Sequence, residues 1–218
     1  MQTLTVTPEQ LRSIATIVHA ASKDVVTPAI TMVQLRRDGD SIIATSTDRF
    51  RVAELRTAIV TTTRAEVDGI EGNTDVFEAL IPAATLTAAV KGLDRRVQLG
   101  VAFLLDEEEG IITIRGHAAH GFSVSARTSK LMFPPVARLF PEGEITPAEG
   151  AVALKPAFLA TIDKLHLPHH EREQAWHMQT QNGDSYNTSK PRPVLFTIED
   201  KGTGDTIRYM VQPNLLLR

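Results

Sequence analysis

The chain has 218 residues, 42% of them hydrophobic, enough to bury one large core or two smaller ones. A net charge of −3, from 23 Lys+Arg against 26 Asp+Glu, excludes a body coated in positive charge but permits a basic stripe on one face. The absence of cysteine excludes disulfides, thiolate metal sites and a cysteine nucleophile, and suits a reducing, cytoplasmic setting.

The opening MQTLTVTPEQ has no basic region followed by an apolar run, so no leader is expected, and no apolar stretch approaches a membrane span. Leu4 to Val6 reads as a strand. Glu9 to Ser22 reads as a helix with Leu11, Ile14, Ala15, Ile17, Val18 and Ala21 on its apolar stripe. Ile30 to Leu35, Ser41 to Thr45 and Phe50 to Val60 follow as strands, the first two joined by the turn Asp38-Gly39-Asp40. After a polar stretch, Thr61 to Thr74, the order repeats: strand Val76 to Ile81, helix Pro82 to Leu93, strands Val97 to Leu105, Gly110 to Arg115 and Gly121 to Ala126. Thr128 to Gly150, rich in proline, marks a domain boundary. A third round has a strand at Val152 to Leu154, a helix from Pro156 to about Leu165, and strands near Trp176 to Thr180, Val194 to Ile198 and Ile207 to Val211. Gln181 to Lys190 reads as a loop.

Pro8, Pro82 and Pro156 stand at the three helix starts, 74 residues apart each time. Proline suits a first helical position because its φ is already set and its missing N–H had no partner there. The fixed period makes the unit strand, helix, then three strands, used three times. Fold class is α+β.

Each helix carries cations away from its apolar stripe. Arg12, Thr16, His19 and Lys23 share one side if the first helix is continuous; Lys91 is followed by Arg95 and Arg96 on the second; Lys164 lies on the third, with Thr161 one turn earlier. Such faces are ordinarily just solvated. Repeated on three helices in a net acidic chain, they suit contact with phosphates without base reading.

Three segments resemble the bacterial sliding-clamp family, the beta subunit of DNA polymerase III. ATSTDRFRVAE (44–54) is similar to the family's A-T-D-x-x-R-L-A-V segment, TSKLMFPPVARLFP (128–141) to its T-S-K…F-P-x-x-x-R-x-x-P segment, and YMVQPNLLLR (209–218) to its Y-x-x-M-P-x-R-L ending. They occur in family order. The resemblance implies helices inside a ring and antiparallel sheets outside, with residues 1–141 as one complete two-unit domain and 142–218 as a half-domain. If a ring needs twelve units, four chains close it, so a homo-oligomeric tetramer is expected.

The resemblance also implies a hydrophobic groove that takes short motifs of the polymerase and the clamp loader. Carried over, its residues are Ile30, Thr47, Arg49, Phe50, Arg51, Val52, Pro134, Arg138, Leu139, Phe158, Met210, Val211, Gln212, Pro213 and Asn214. Gln212 replaces a family methionine and Lys155 an asparagine, which would alter peptide preference. Duplex DNA is the other implied partner, met by Arg12, His19, Lys23, Lys91, Arg95, Arg96 and Lys164. A second reading is a clamp-derived adaptor or inhibitor that binds such peptides without encircling DNA.

No catalytic constellation emerges. HAAH (117–120) and LHLPHHERE (165–173) gather histidines with a carboxylate, but a proline breaks the second and neither has the spacing of H-E-x-x-H. There is no P-loop, nucleophile elbow or dinucleotide fingerprint. Asp48, between Thr47 and Arg49, reads as an ionised, paired carboxylate. No cofactor or metal is expected.

Overall fold

The computed structural model describes residues 1–60, 67, 69–70, 73–141, 152–168, 175–180 and 193–213. Strand β1 (Gln2–Val6) leads into helix α1 (Pro8–Thr16), followed by β2 (Met32–Asp38), β3 (Ser41–Thr47) and β4 (Arg51–Ala58). Strand β5 (Glu78–Pro82) leads into α2 (Ala83–Gly92), then β6 (Val101–Asp106), β7 (Ile111–Gly116) and β8 (Ser123–Arg127). The third round supplies α3 (Pro156–Ile162), β9 (His177–Gln179), β10 (Val194–Glu199) and β11 (Thr206–Val211).

Local chemistry sets the helix starts. Thr7 and Gln10 form a capping box: each backbone N–H donates to the other's side-chain oxygen, at 3.0 and 3.2 Å, and Pro8 occupies the first helical position. Pro156 does the same for α3, whereas Pro82 ends β5 and caps α2 rather than opening it. The expected helix over Glu9 to Ser22 is interrupted. α1 stops at Thr16 and Ile17–Ala20 form a 3-10 turn. The buried Ser46 hydroxyl donates to the Ile17 carbonyl, and the Ala21 N–H turns to Val18 instead, tightening the last turn. Lys23 therefore lies beyond the helix, and the regular spacing from Arg12 to Lys23 does not hold.

The strands form two antiparallel sheets, in the orders β1-β6-β7-β8 and β5-β2-β3-β4-β11-β10-β9. β1 pairs not with its own unit but with β6, Val6 opposite Val101 and Gln2 opposite Leu105; β5 reciprocates beside β2, Met32 opposite Pro82. The first two units thus swap their lead strands, and α1 packs on α2 above the inner faces. Leu4, Leu11, Ile14, Leu35, Leu55, Leu86 and Ile112 meet there with Phe77 and Phe103, whose rings approach edge-on at 6.4 Å. At the end of α2, Phe122 lies so close to Gly92 and Gly116 that an added Cβ would approach it to 2.7 and 2.5 Å, so neither position has room for a side chain.

The third unit joins the second sheet through β11, which pairs with β4 from Thr206↔Arg56 to Val211↔Arg51. Period-two alternation sorts the seam: Ala53, Leu55, Ile207, Tyr209 and Val211 enter the main core, while Val52 and Met210 pack on the other face. Residues 152–154, expected as a strand, belong to no sheet.

Candidate functional site

On the outer face of the seam Val52, Leu195, Met210 and Phe140 bury one another, with Val136 partly covered beside them. Phe140 is delivered by a 3-10 turn, Val136–Leu139. The Arg208 guanidinium lies over its ring at 4.3 Å and pairs with the carboxylate of Glu54, which is 3% exposed. Beside this cluster in the chain, Leu139 is 54% exposed, Arg138 is exposed and Pro134 half-buried. An apolar floor with exposed aliphatic and cationic side chains next to it can take a short peptide with apolar anchors.

The β3–β4 turn closes one end of the seam. One Asp48 carboxylate oxygen accepts from the Phe50 and Arg51 N–H groups, both at 3.0 Å, and the other from Arg51 Nε at 2.8 Å. Arg49, at φ 79°, is the one non-glycine with positive φ among the described residues. That conformation costs about 1–2 kcal/mol. The Thr27 hydroxyl and the Asp24 carboxylate, the latter at 3.7 Å, hold its side chain. Phe50 is 56% exposed, and its carbonyl accepts from the Gln212 N–H at 2.7 Å.

Beneath the turn, Arg51 crosses to α3. It stacks on Phe158 at 5.2 Å and donates to the Thr161 hydroxyl, while Lys155 stands over Phe50 and Phe158 at 5.6 and 5.7 Å. Thr161, read from the sequence as part of an exposed face, is buried by this contact. The Tyr209 hydroxyl donates to the Phe158 carbonyl at 3.0 Å. Burial pushes the Tyr209 phenol above its ordinary pKa, against the opposing pull of Arg51.

The carried-over groove residues are therefore divided. Val52 and Met210 share the outer floor; Arg51, Phe158 and Val211 lie on the inner side; Phe50 and Gln212 are exposed at the seam's end. Neighbours in a strand point to opposite faces, so five consecutive residues cannot all line one groove. Thr47 is buried with its hydroxyl on the Arg51 carbonyl, and Ile30 is buried in a 3-10 turn before β2 rather than on it. Pro213 is buried; Asn214 lies outside the described residues. Phe140, Leu195, Val136, Arg208 and Glu54 join the site without being among the carried-over residues. Phe140 adjoins Leu139 in a segment already recognised, but the unbroken apolar run Val194–Phe196 gives no sign of which member faces outward.

On the helix side the cations gather. Burial, then the charges of Lys164, Arg51, His166 and Lys23, hold the His19 imidazole below its ordinary pKa. The His166 N–H donates to the Thr16 hydroxyl at 3.3 Å, tying the segment after α3 to the end of α1. Arg12 is half-buried and 3.6 Å from Glu9; Lys91, Arg95 and Arg96 are exposed at the end of α2. Among the described residues no three His, Cys, Asp or Glu side chains converge as metal ligands. His120 is buried with Nε2 at 2.8 Å from the Leu99 carbonyl, and His117 accepts from the Ala119 N–H. His169, His170 and Glu171 lie outside the described residues.

Solved structures share this fold. The DNA polymerase sliding clamp of Pseudomonas aeruginosa aligns with 99% of this chain and 67% of its own, at TM-score 0.66 and 12% identity. The beta subunit from the DNA polymerase of Streptococcus pyogenes aligns with 99% and 66%, at TM-score 0.61 and 13% identity. The chain has the sliding-clamp fold. The DNA polymerase sliding clamp of Bacillus subtilis aligns with 98% of the chain and 49% of its own, at TM-score 0.54 and 17% identity. The chain thus spans about half to two thirds of the length of these structures. No protein-family profile and no curated protein matches the sequence.

Proposed function

We propose that the chain is a DNA sliding clamp, a ring around duplex DNA that tethers a polymerase. The observation that carries this reading is the gathering of the exposed Lys23, Lys164, His19 and His166 near the end of α1 in a clamp fold, with His166 tied to Thr16. In a ring with helices inward, those cations face the phosphates. The mechanism is topological and not catalytic: a closed ring cannot leave the duplex sideways, so weak, sequence-independent contacts are sufficient. The two-unit domain 1–141 and the half-domain 142–218 make three units per chain, and four chains make the ring. The apolar floor at the β4–β11 seam, with Leu139 and Phe50 near it, receives the peptide motifs of the polymerase and the clamp loader in the cytoplasm.

Changing Arg12 and Lys23 together to alanine is expected to shorten retention on closed circular DNA while leaving peptide affinity unchanged. Each lost phosphate contact should lower the salt slope by about 0.9. Both proteins should run off linear ends. Equal retention on linear and circular DNA would replace encirclement by simple adhesion.

The depressed His19 pKa gives a pH prediction. The unfolded chain binds this proton more readily than the folded one, so the His19 contribution to stability is present above the ordinary imidazole range and lost as pH falls through it. Phosphates that screen the exposed Lys164 and Lys23 would raise the pKa again, so DNA binding should take up a proton. Affinity is expected to rise between pH 7.5 and pH 5.5 more steeply in the parent than in His19→Gln. Parallel profiles would remove His19 from the DNA surface.

The adaptor reading draws on the net charge of −3 and on Arg12 standing beside Glu9. It predicts peptide binding with no retention on circular DNA.

A further inference from the structure

Each of the first two units gives its lead strand to the other, and in both cases the receiving strand is the first one after the helix: β6 receives β1, and β2 receives β5. The third unit has both halves of such an exchange and completes neither among the described residues. Residues 152–155 lead into α3 as β1 leads into α1, yet pair with no strand. β9, the first strand after α3, is bonded to β10 on one side and ends the sheet on the other. Apolar side chains stand open around this gap: Val152 is 37% exposed, Leu159 43% and Met178 61%. Counted from the opening proline, Leu159 holds the position of Leu11, which is fully buried in the helix that α2 packs against.

We propose that the third units of two copies exchange lead segments across a two-fold axis, residues 152–154 of each adding to β9 of the other while α3 packs on α3. The occupant is a second copy because, among the described residues, every other donor and acceptor of this kind is already matched, β1 with β6 and β5 with β2. Only another third unit offers both an unused lead segment and an unused first strand. An unpaired edge beside exposed apolar side chains is an association surface, and the pairing covers both. The interface is isologous, each surface meeting its own copy, unlike the head-to-tail contact of a cyclic ring. If the chain forms a ring as proposed above, its remaining seam at the bare edge β8 is two-fold as well. The tetramer then has dihedral symmetry and two identical faces.

Sedimentation of the full chain tests this. Leu159→Lys and Leu159→Glu each place like charges against themselves across the axis, at an exposed site where the free monomer tolerates them. Each variant alone should halve the mass of the parent assembly, from two chains to one or from four to two, and an equal mixture should restore it. Met178→Lys, also at an exposed position, should halve it too. Variants that assemble like the parent, a mixture that stays dissociated, or a parent that is monomeric at 100 µM would each overturn the proposal. Retention on circular DNA is read separately: a restored dimer without retention supports the exchange and sinks the clamp reading.

Discussion

Replacing Arg208, whose side chain is 36% exposed, by methionine is expected to destabilise the fold by about 2 kcal/mol, because the Glu54 carboxylate loses its partner while staying buried. Glu54 is 3% exposed on the outer face of β4, and Arg208 on β11 pairs with it directly across the seam that attaches the third unit. The urea midpoint should fall accordingly. Adding Glu54→Met should recover most of the loss, since it removes the carboxylate left buried without a partner. A double-mutant cycle then gives a coupling energy well above the scatter expected for independent sites. A single variant less than about 1 kcal/mol below the parent would mean that water reaches Glu54 in solution and the pair is ornamental.

Peptide binding should be lost in Leu139→Asp. Leu139 is 54% exposed in the free chain, so the change leaves the fold intact and the thermal midpoint close to the parent's. Covering an unpaired carboxylate with an apolar peptide anchor costs at least about 2 kcal/mol, which is roughly a 30-fold loss of affinity. Leu139→Met, similar in volume, should bind like the parent. The probe is a short synthetic peptide with aliphatic and aromatic anchors, measured by fluorescence anisotropy. Undiminished affinity in a folded Leu139→Asp protein would remove the 3-10 turn Val136–Leu139 from the groove.

Much of the architecture is legible in residue patterns. The starts of α1 and α3 follow from Pro8 and Pro156, whose rings forgo an N–H that has no partner there, while Pro82 stands one residue ahead of α2. The hairpin turn at Asp38-Gly39-Asp40 follows from a glycine that takes φ 58°. The early end of α1 does not follow, because it depends on Ser46, far along the chain, reaching the Ile17 carbonyl. The swap of β1 and β5 is equally hidden: strand patterns report which residues are buried and say nothing about which neighbour a strand chooses. In the proposed groove, neighbouring residues of one motif fall on opposite faces. Val52 and Met210 turn outward while Arg51 and Val211 turn inward, and a list of consecutive residues merges the two sides.

The swap of lead strands also sets an order of events during synthesis. β1 leaves the ribosome well before its partner β6, which ends about a hundred residues later, with Gln2 opposite Leu105. At about 5–20 residues per second, β1 waits some 5–20 s with its ladder unmade. The first unit cannot finish its own sheet either, since β2 needs β5 from the second. The smallest piece that can fold during translation is therefore the pair of units, and a nascent chain arrested before β6 should remain open to proteases and chaperones along its whole length.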